Sequence, residues 1–140
     1  MRALLFLSLA VAAGCDGSAP TGTASADVQG SWGWVRAVDV QTREVHTPET
    51  EGYESTLTFA PSGEREGTYR YARLGGSEVR GLYGIGYEHE PGAGFLSVDA
   101  PIDFLTESAW LTVGGDTLYL GGVMELGYEV VYVRERAAAP

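Results

Sequence analysis

The body of this 140-residue chain, residues 28–136, has the sequence pattern of an all-β domain. The predicted fold is an antiparallel up-and-down barrel of about eight strands. Apolar and polar residues alternate with period two along short segments, which is typical of half-buried strands. Clusters of Gly, Pro and Asp separate these segments and indicate tight turns. A β-sandwich is the alternative, and residues 103–108 offer only a poor candidate for a short helix.

Apolar residues that share one face identify the first four strands. Their inward residues are expected to be Trp32, Trp34, Val38 and Val40, then Tyr53, Leu57 and Phe59, then Tyr69 and Tyr71, and finally Val79, Tyr83, Ile85 and Tyr87. Turns are expected at residues 60–63 and 75–76. Glycines at positions 81, 84 and 86 interrupt the fourth strand and indicate bulges or close packing of another group.

Four further strands are expected at residues 95–98, 109–113, 117–120 and 128–134. Gly114-Gly115-Asp116 lies between two of them and is a strong hairpin signal. Strands joined by short turns are expected to pair with their neighbours in sequence. Eight such strands can close on themselves, which removes exposed sheet edges and leaves room for side chains or for one small ligand.

Two short motifs mark the ends of this body. Gly30-Ser31-Trp32 opens the first strand, and Tyr132-Val133-Arg134 ends the last one. Together they resemble the signature of the lipocalin-like (calycin) family, and residues 47–49 and 57–63 resemble small lipocalin-like lipoproteins of bacterial envelopes. The resemblance implies that Gly30, Trp32 and Arg134 form a structural signature, in which the arginine packs across the tryptophan at the base of the barrel. It also implies that a small apolar molecule is bound, as in many members of the family.

The arginine–tryptophan contact also has a physical basis of its own. A guanidinium over an indole face gains a cation–π interaction worth up to about 2 kcal/mol when water is excluded. Arg134 continues the inward face of the last strand, so it is better placed for this contact than Arg136. Either Trp32 or Trp34 can supply the indole. The alternative is a pair of core tryptophans with a solvated terminal arginine.

The first fourteen residues have the pattern of a secretory signal peptide. Arg2 precedes an apolar run of about ten residues, well short of the roughly 20 that span a bilayer. Ala12-Ala13-Gly14-Cys15 resembles a bacterial lipobox, which implies cleavage before Cys15 and acylation of its sulfur and its new amino terminus. Residues 15–27 are then the lipidated cysteine and a flexible tether, and residues 137–140 are a tail.

The lipobox resemblance implies a lipoprotein held on a membrane of the bacterial cell envelope, with the choice of inner or outer membrane left open. The alternative is an ordinary free cysteine after a plain cleavage site. The net charge of −10 argues against nucleic acid as a partner and against electrostatic docking on anionic lipid. Membrane contact is therefore expected through acylated Cys15, and the oligomeric state is left open.

Residues suited to catalysis or metal binding are few. His46 and His89 are the only histidines, and alternation would place Glu88 and Glu90 on the opposite side of a strand from His89. No nucleophile motif accompanies the serines, and the glycines of the fourth strand do not lie between a strand and a helix. We therefore expect no catalytic residues, no metal, no cofactor and no enzymatic activity.

Aromatic residues give the clearest indication of function, because the chain holds eight tyrosines, four phenylalanines and three tryptophans. Tyrosine suits a half-buried barrel wall, but phenol groups also suit a cavity that holds an apolar ligand. The candidate cavity residues are Tyr53, Phe59, Tyr71, Tyr83, Tyr87, Tyr128 and Tyr132. Two functions stay open: a lipid-anchored protein that binds a small apolar molecule, and an envelope interaction or structural lipoprotein with a filled barrel.

The anchor can be tested by replacing its cysteine. We expect Cys15→Ser to move the protein from the membrane fraction to the soluble fraction, or to leave an unprocessed precursor, because the acyl chains have lost their attachment point. Fractionation followed by intact-mass measurement provides the check. Unchanged partitioning with an unchanged mass would show that Cys15 carries no lipid.

Overall fold

The computed structural model describes residues 27–90, 92–105, 107–122 and 127–136, with the backbone alone for residues 87–90. The predicted signal peptide, Cys15, most of the tether and the tail lie outside these residues. The strands are β1 (Gly30–Asp39), β2 (Val45–His46), β3 (Ser55–Pro61), β4 (Glu66–Arg73), β5 (Glu78–Glu90), β6 (Ala93–Val98), β7 (Ser108–Gly114), β8 (Thr117–Gly121) and β9 (Tyr128–Arg134). A short helix, α1, spans Pro48–Glu51 and is capped by Thr47.

The strands form a closed antiparallel barrel. From β3 to β9 each strand pairs with its neighbours in sequence, and β1 pairs with both β3 and β9. The β1–β9 ladder runs from Trp32 opposite Arg134 to Asp39 opposite Tyr128. The prediction of an eight-stranded up-and-down barrel is therefore confirmed, and the sandwich alternative is wrong. The short β2 is an additional strand, which the sequence analysis missed, and it pairs only with the end of β1.

A β-bulge corrects the predicted inward face of β1. The register against β9 shifts between Trp34 and Arg36, so that Val35 is an extra residue. Trp32 and Trp34 point inward as predicted, but after the bulge Ala37 is the buried residue. The prediction that Val38 and Val40 belong to the inward face is wrong, because one extra residue reverses the alternation.

Large side chains occupy the barrel interior. The inward residues of β3, β4 and β5 are buried as predicted, namely Leu57, Phe59, Tyr69, Tyr71, Tyr83 and Ile85. Gly81 lies among them because nothing larger fits. A Cβ atom there would lie 2.0 Å from Asp99 Oδ1 and 2.8 Å from a ring carbon of Tyr69. The predicted close-packing role of this glycine is thus visible in its surroundings.

One end of the barrel, its base, is built around a tryptophan and an arginine. Trp32 is fully buried, and its indole Nε1 donates a hydrogen bond of 2.7 Å to the carbonyl oxygen of Val28. The guanidinium carbon of Arg134 lies 4.1 Å from the centroid of the Trp32 ring. The guanidinium also donates to the carbonyl oxygens of Gln29 at 2.6 Å and Asp27 at 2.9 Å. The two ends of the domain are therefore joined at the base.

A glycine makes room for this arrangement. Gly30 has a φ of +113°, which side-chain-bearing residues rarely adopt, and a Cβ atom there would lie 3.2 Å from Arg134 Nη1. Trp34, the other candidate for the indole, lies two residues further along β1, opposite Tyr132.

Residues 103–105, the first part of the poor helix candidate at residues 103–108, form a turn and not a helix. The backbones of Ile102 and Leu105 exchange two hydrogen bonds of 3.0 Å across a two-residue turn made by Asp103 and Phe104. This capping hairpin, residues 102–105, lies in the β6–β7 connection. Among the described residues no helix is both long and apolar enough to span a membrane.

The base contact can be measured with a double-mutant cycle. Trp32→Phe and Arg134→Met should show a coupling of about 0.5–2 kcal/mol in the free energy of unfolding, because the two side chains are in direct contact. Denaturant unfolding of both single variants and the double variant provides the measurement. The control cycle combines Trp34→Phe with Arg134→Met and is expected to be additive. Additivity in both cycles would show that the contact contributes nothing measurable.

Candidate functional site

The candidate site lies at the rim, the end of the barrel opposite the base, where β1 ends and β9 begins. The capping hairpin lies across this end. Its Phe104 ring stacks on Trp34, with ring centroids 5.2 Å apart and planes inclined by 26°. Tyr128 and His46 approach the same ring, with centroid distances of 5.0 Å and 5.3 Å. Phe104 therefore lies in a slot, the rim slot, formed by Trp34, His46 and Tyr128.

Tyr53 extends this aromatic cluster toward the barrel wall. Its ring stacks on Trp34 at a centroid distance of 5.5 Å and an inclination of 22°. The guanidinium carbon of Arg73 lies 4.1 Å from the centroid of the Tyr53 ring. An arginine over a phenol is a favourable cation–π arrangement. The rim thus combines flat aromatic faces with a guanidinium group.

The backbone of the capping hairpin is strained at Phe104. Its φ of 60° lies in the left-handed region. The second central position of a tight turn with positive φ normally takes Gly or Asn, because a Cβ is disfavoured there. Such a conformation costs about 1–3 kcal/mol and persists only where the surroundings enforce it.

Asp103 connects the capping hairpin to the barrel wall. Its Oδ2 accepts hydrogen bonds of 2.5 Å from the Tyr71 hydroxyl and 2.5 Å from Arg73 Nε. Arg73 Nη2 also contacts this carboxylate, which makes an ion pair. Both partners belong to β4, so Asp103 ties the hairpin to the barrel wall. We call Asp103, Tyr71 and Arg73 the latch.

The phenols near the latch stay protonated at neutral pH. Burial, with a smaller contribution from the hydrogen bond to Asp103, raises the pKa of Tyr71 to about 12. Burial also raises the pKa of Tyr53 and of fully buried Tyr132. Among the described residues, the buried Nε1 of Trp34 has no hydrogen-bond acceptor. An unsatisfied buried donor is costly, so this indole can gain from an acceptor that a ligand brings.

A cleft of about 350 Å³, the rim cleft, adjoins the capping hairpin. Its walls come from the hairpin and from the rim ends of β7, β8 and β9. The described lining residues are Pro101, Ile102, Phe104, Leu105, Ser108, Ala109, Leu120, Gly121, Gly122, Gly127 and Tyr128. This lining is mostly apolar and includes two residues of the aromatic cluster.

The predicted cavity residues separate into two groups. Tyr53, Tyr71 and Tyr128 belong to the rim cluster or the latch, and Tyr132 is buried beside Trp34 in the β1–β9 ladder. Phe59 and Tyr83 instead pack edge to face with each other in the interior, at a centroid distance of 5.0 Å. The side chain of Tyr87 lies outside the described residues.

Sequence reasoning missed Trp34, His46, Asp103 and Phe104 as residues of one site. His46 is held in place by Glu51, whose Oε1 lies 2.7 Å from Nδ1 of the ring. Asp103 and Phe104 lie in a segment for which the sequence predicts no strand and offers only a poor helix candidate. The residue with positive φ in their turn is Phe104 and not a glycine or an asparagine, so the sequence does not indicate the turn.

Two side chains of types that often take part in catalysis form hydrogen bonds with the backbone instead. Ser97 Oγ donates a hydrogen bond of 3.3 Å to the Gly84 carbonyl, and Asp99 Oδ1 accepts one of 2.9 Å from the Leu82 amide. Within the described part of the chain, no three His, Cys, Asp or Glu side chains are grouped so that they could hold a metal ion. The side chain of His89 is not in that part.

Aromatic residues also lie on the outer wall. Trp110 and Tyr119 are 47% and 46% exposed, and Phe95 packs edge to face on Trp110 at 5.3 Å. With Val131, which is the register partner of Tyr119, they form an outer patch across four strands. A cleft of about 300 Å³ beside it is also lined by Arg36, Thr112 and Glu129.

The raised pKa of Tyr71 predicts loss of stability at high pH. Because the folded-state pKa lies above the ordinary value near 10, the unfolded chain loses this proton first as the pH rises. The free energy of unfolding should therefore fall between about pH 10 and 12, by roughly 1–2 kcal/mol from this residue.

Denaturant unfolding of Tyr71→Phe over this pH range checks the effect. We expect lower stability than wild type at pH 7, since the bond to Asp103 is lost, but a smaller fall above pH 10. Tyr119→Phe, at an exposed position on the outer wall, is the control and should follow wild type. The same slope in all three proteins would contradict the assignment.

Comparison of the chain with protein-family models, with curated proteins and with solved structures gives no match. What the protein does is therefore inferred from the rim, the base and the outer wall themselves.

Proposed function

We propose that this protein is a lipoprotein of the bacterial cell envelope, anchored through acylated Cys15, whose lipocalin-like barrel binds a small apolar molecule at its rim. The observation that carries the binding function is the rim cleft next to the aromatic cluster. Its volume of about 350 Å³ falls within the usual range of small-molecule pockets, about 300–1,000 Å³. Such pockets are mostly apolar with a few polar groups, as at this rim.

The base supports the lipocalin-like part of the proposal. Glycine with positive φ, a buried indole and an arginine over it occur together at Gly30, Trp32 and Arg134. The resemblance to the family implied that these three residues form a signature in which the arginine packs across the tryptophan. Many members of that family bind small apolar molecules, which favours the same function here.

The position of the first described residues supports the anchored arrangement. The carbonyl oxygen of Asp27 accepts a hydrogen bond from Arg134, so the chain enters the barrel at its base. On this proposal the base faces the membrane and the rim faces away from it, so that a ligand can reach the rim cleft from the aqueous side.

The proposed function is binding and not catalysis. Asp103, Tyr71 and Arg73 at the rim are engaged in holding the capping hairpin. The expected partners are a membrane and a small molecule. The net charge of −10 further disfavours nucleic acid.

The outer patch supports a second candidate function. Exposed tryptophan and tyrosine side chains that lie together are typical of protein contact surfaces. On this alternative the filled barrel is a scaffold, and the protein acts as an envelope interaction or structural lipoprotein through Trp110 and Tyr119.

Native mass spectrometry of protein extracted mildly from membranes separates the two functions. We expect a retained small molecule that is lost after lipid extraction, and a reduced amount of it in Ser108→Trp, because a large ring at this rim position obstructs the cleft. Thr112→Trp is the matched control on the same strand, beside the outer patch. No retained molecule, combined with loss of a co-purifying envelope protein in Thr112→Trp, would favour the second function.

A further inference from the structure

We propose that the molecule bound at the rim carries a flat aromatic ring system, and that this ring takes the place of Phe104 by displacing the capping hairpin. The inference rests on the proposed function, since it names the class of ligand for the same site. The geometry points to this class through what surrounds Phe104, through the way Phe104 is held, and through the space beside it.

The rim slot is shaped for a flat ring. Trp34 offers a parallel face at 5.2 Å, whereas Tyr128 meets the ring of Phe104 edge-on, with planes inclined by 70°. Aromatic rings prefer this combination of stacked and edge-to-face neighbours, but a saturated chain gains nothing from it beyond apolar burial. An aromatic ligand therefore recovers every ring contact that Phe104 gives up.

Phe104 occupies the slot in an unfavourable backbone conformation. A positive φ at a residue with a large side chain is retained only when the surroundings enforce it. Displacement of the hairpin releases this strain. A ligand is not part of the backbone, so its ring enters the slot without such strain. Binding of the free ring has to offset the burial of Ile102 and Leu105 that the displaced hairpin gives up.

The side chains of the latch can be exposed to water, because water can solvate polar and charged groups. Asp103, Tyr71 and Arg73 are held to one another by hydrogen bonds and charge, and the Asp103 and Arg73 side chains are already partly exposed. Water can replace these bonds when the hairpin moves outward. The latch thus holds the capping hairpin in place through interactions that are reversible.

The rim cleft indicates a ring system larger than one phenyl group. Tyr128 lines both the slot and the cleft, and the cleft wall formed by β7, β8 and β9 stays in place when the hairpin moves, so a larger ring system can fill the slot and continue along that wall. A flat fused ring system meets this condition.

Three neutral probes with the same fused two-ring skeleton test the inference on the purified full chain. Naphthalene and quinoline are flat, and decalin is saturated and not flat. We expect both flat probes to bind more tightly than decalin, because only a flat ring can stack on Trp34. Because wild type must first displace Phe104, the Phe104→Gly variant should bind naphthalene about tenfold more tightly than wild type.

Displacement itself can be followed in the wild-type sequence by fluorine NMR after incorporation of 4-fluorophenylalanine. The chain has only four phenylalanines, and the Phe104 signal is assigned by its absence in Phe104→Leu. Naphthalene should move this signal toward that of a solvent-exposed ring and leave the Phe59 signal unchanged. This measurement needs no destabilised variant, so it holds even if Phe104→Gly fails to fold.

Phe59→Leu is the matched control for Phe104→Leu, because Phe59 is an interior ring packed on Tyr83. Tighter naphthalene binding in Phe104→Leu alone supports the inference, and an equal gain in both variants would show only that cavities bind naphthalene. Binding of decalin as tight as that of naphthalene, with the Phe104 signal unmoved, would overturn the inference and leave an apolar rim cleft. Binding of no probe by wild type or variants would also overturn it, while the retained mass of the natural ligand decides the proposed function separately.

Discussion

The pairing of the first long strand with the last one is the constraint on which the rest of the structure depends. Seven residues of β1, from Trp32 to Asp39, find partners in β9, and Arg134 covers the Trp32 ring at the base. The same guanidinium satisfies two backbone carbonyl oxygens that precede β1. One side chain thus supports both the closure of the sheet and the entry of the chain. Without closure, β1 and β9 would be exposed edges, and the interior rings would have no wall behind them.

Closure at the base leaves the rim free to be built by connections between strands. The α1 segment, the β2 extension and the capping hairpin all lie at that end, and each brings one member of the aromatic cluster or supports one. His46 comes from β2 and is held by Glu51 of the helix, while Phe104 comes from the hairpin. Binding residues on connections that a rigid scaffold positions are a common arrangement in proteins.

Most of the barrel could be predicted from the sequence because alternation with period two is a local signal. It gave the inward faces of β3, β4 and β5 and the β7–β8 hairpin, and it failed where one residue was inserted into β1 at Val35. The rim could not be predicted in the same way. Tyr71 and Asp103 are 32 residues apart and meet only because the barrel closes, and Phe104 adopts a turn position that ordinarily belongs to glycine. No local sequence pattern indicates either the Tyr71–Asp103 contact or the turn at Phe104.

Base and rim differ in how their polar groups are satisfied, and this difference follows their roles. At the base, the Trp32 indole and the Arg134 guanidinium donate to backbone carbonyl oxygens, so their positions are tied to the chain itself. At the rim, the hydrogen bonds of the latch run between side chains, the Trp34 indole has no acceptor among the described residues, and the Phe104 backbone is strained. Local conformational change is cheapest where few backbone bonds must break. The proposed exchange of Phe104 for a ligand ring at the rim would therefore leave the closure of the barrel intact.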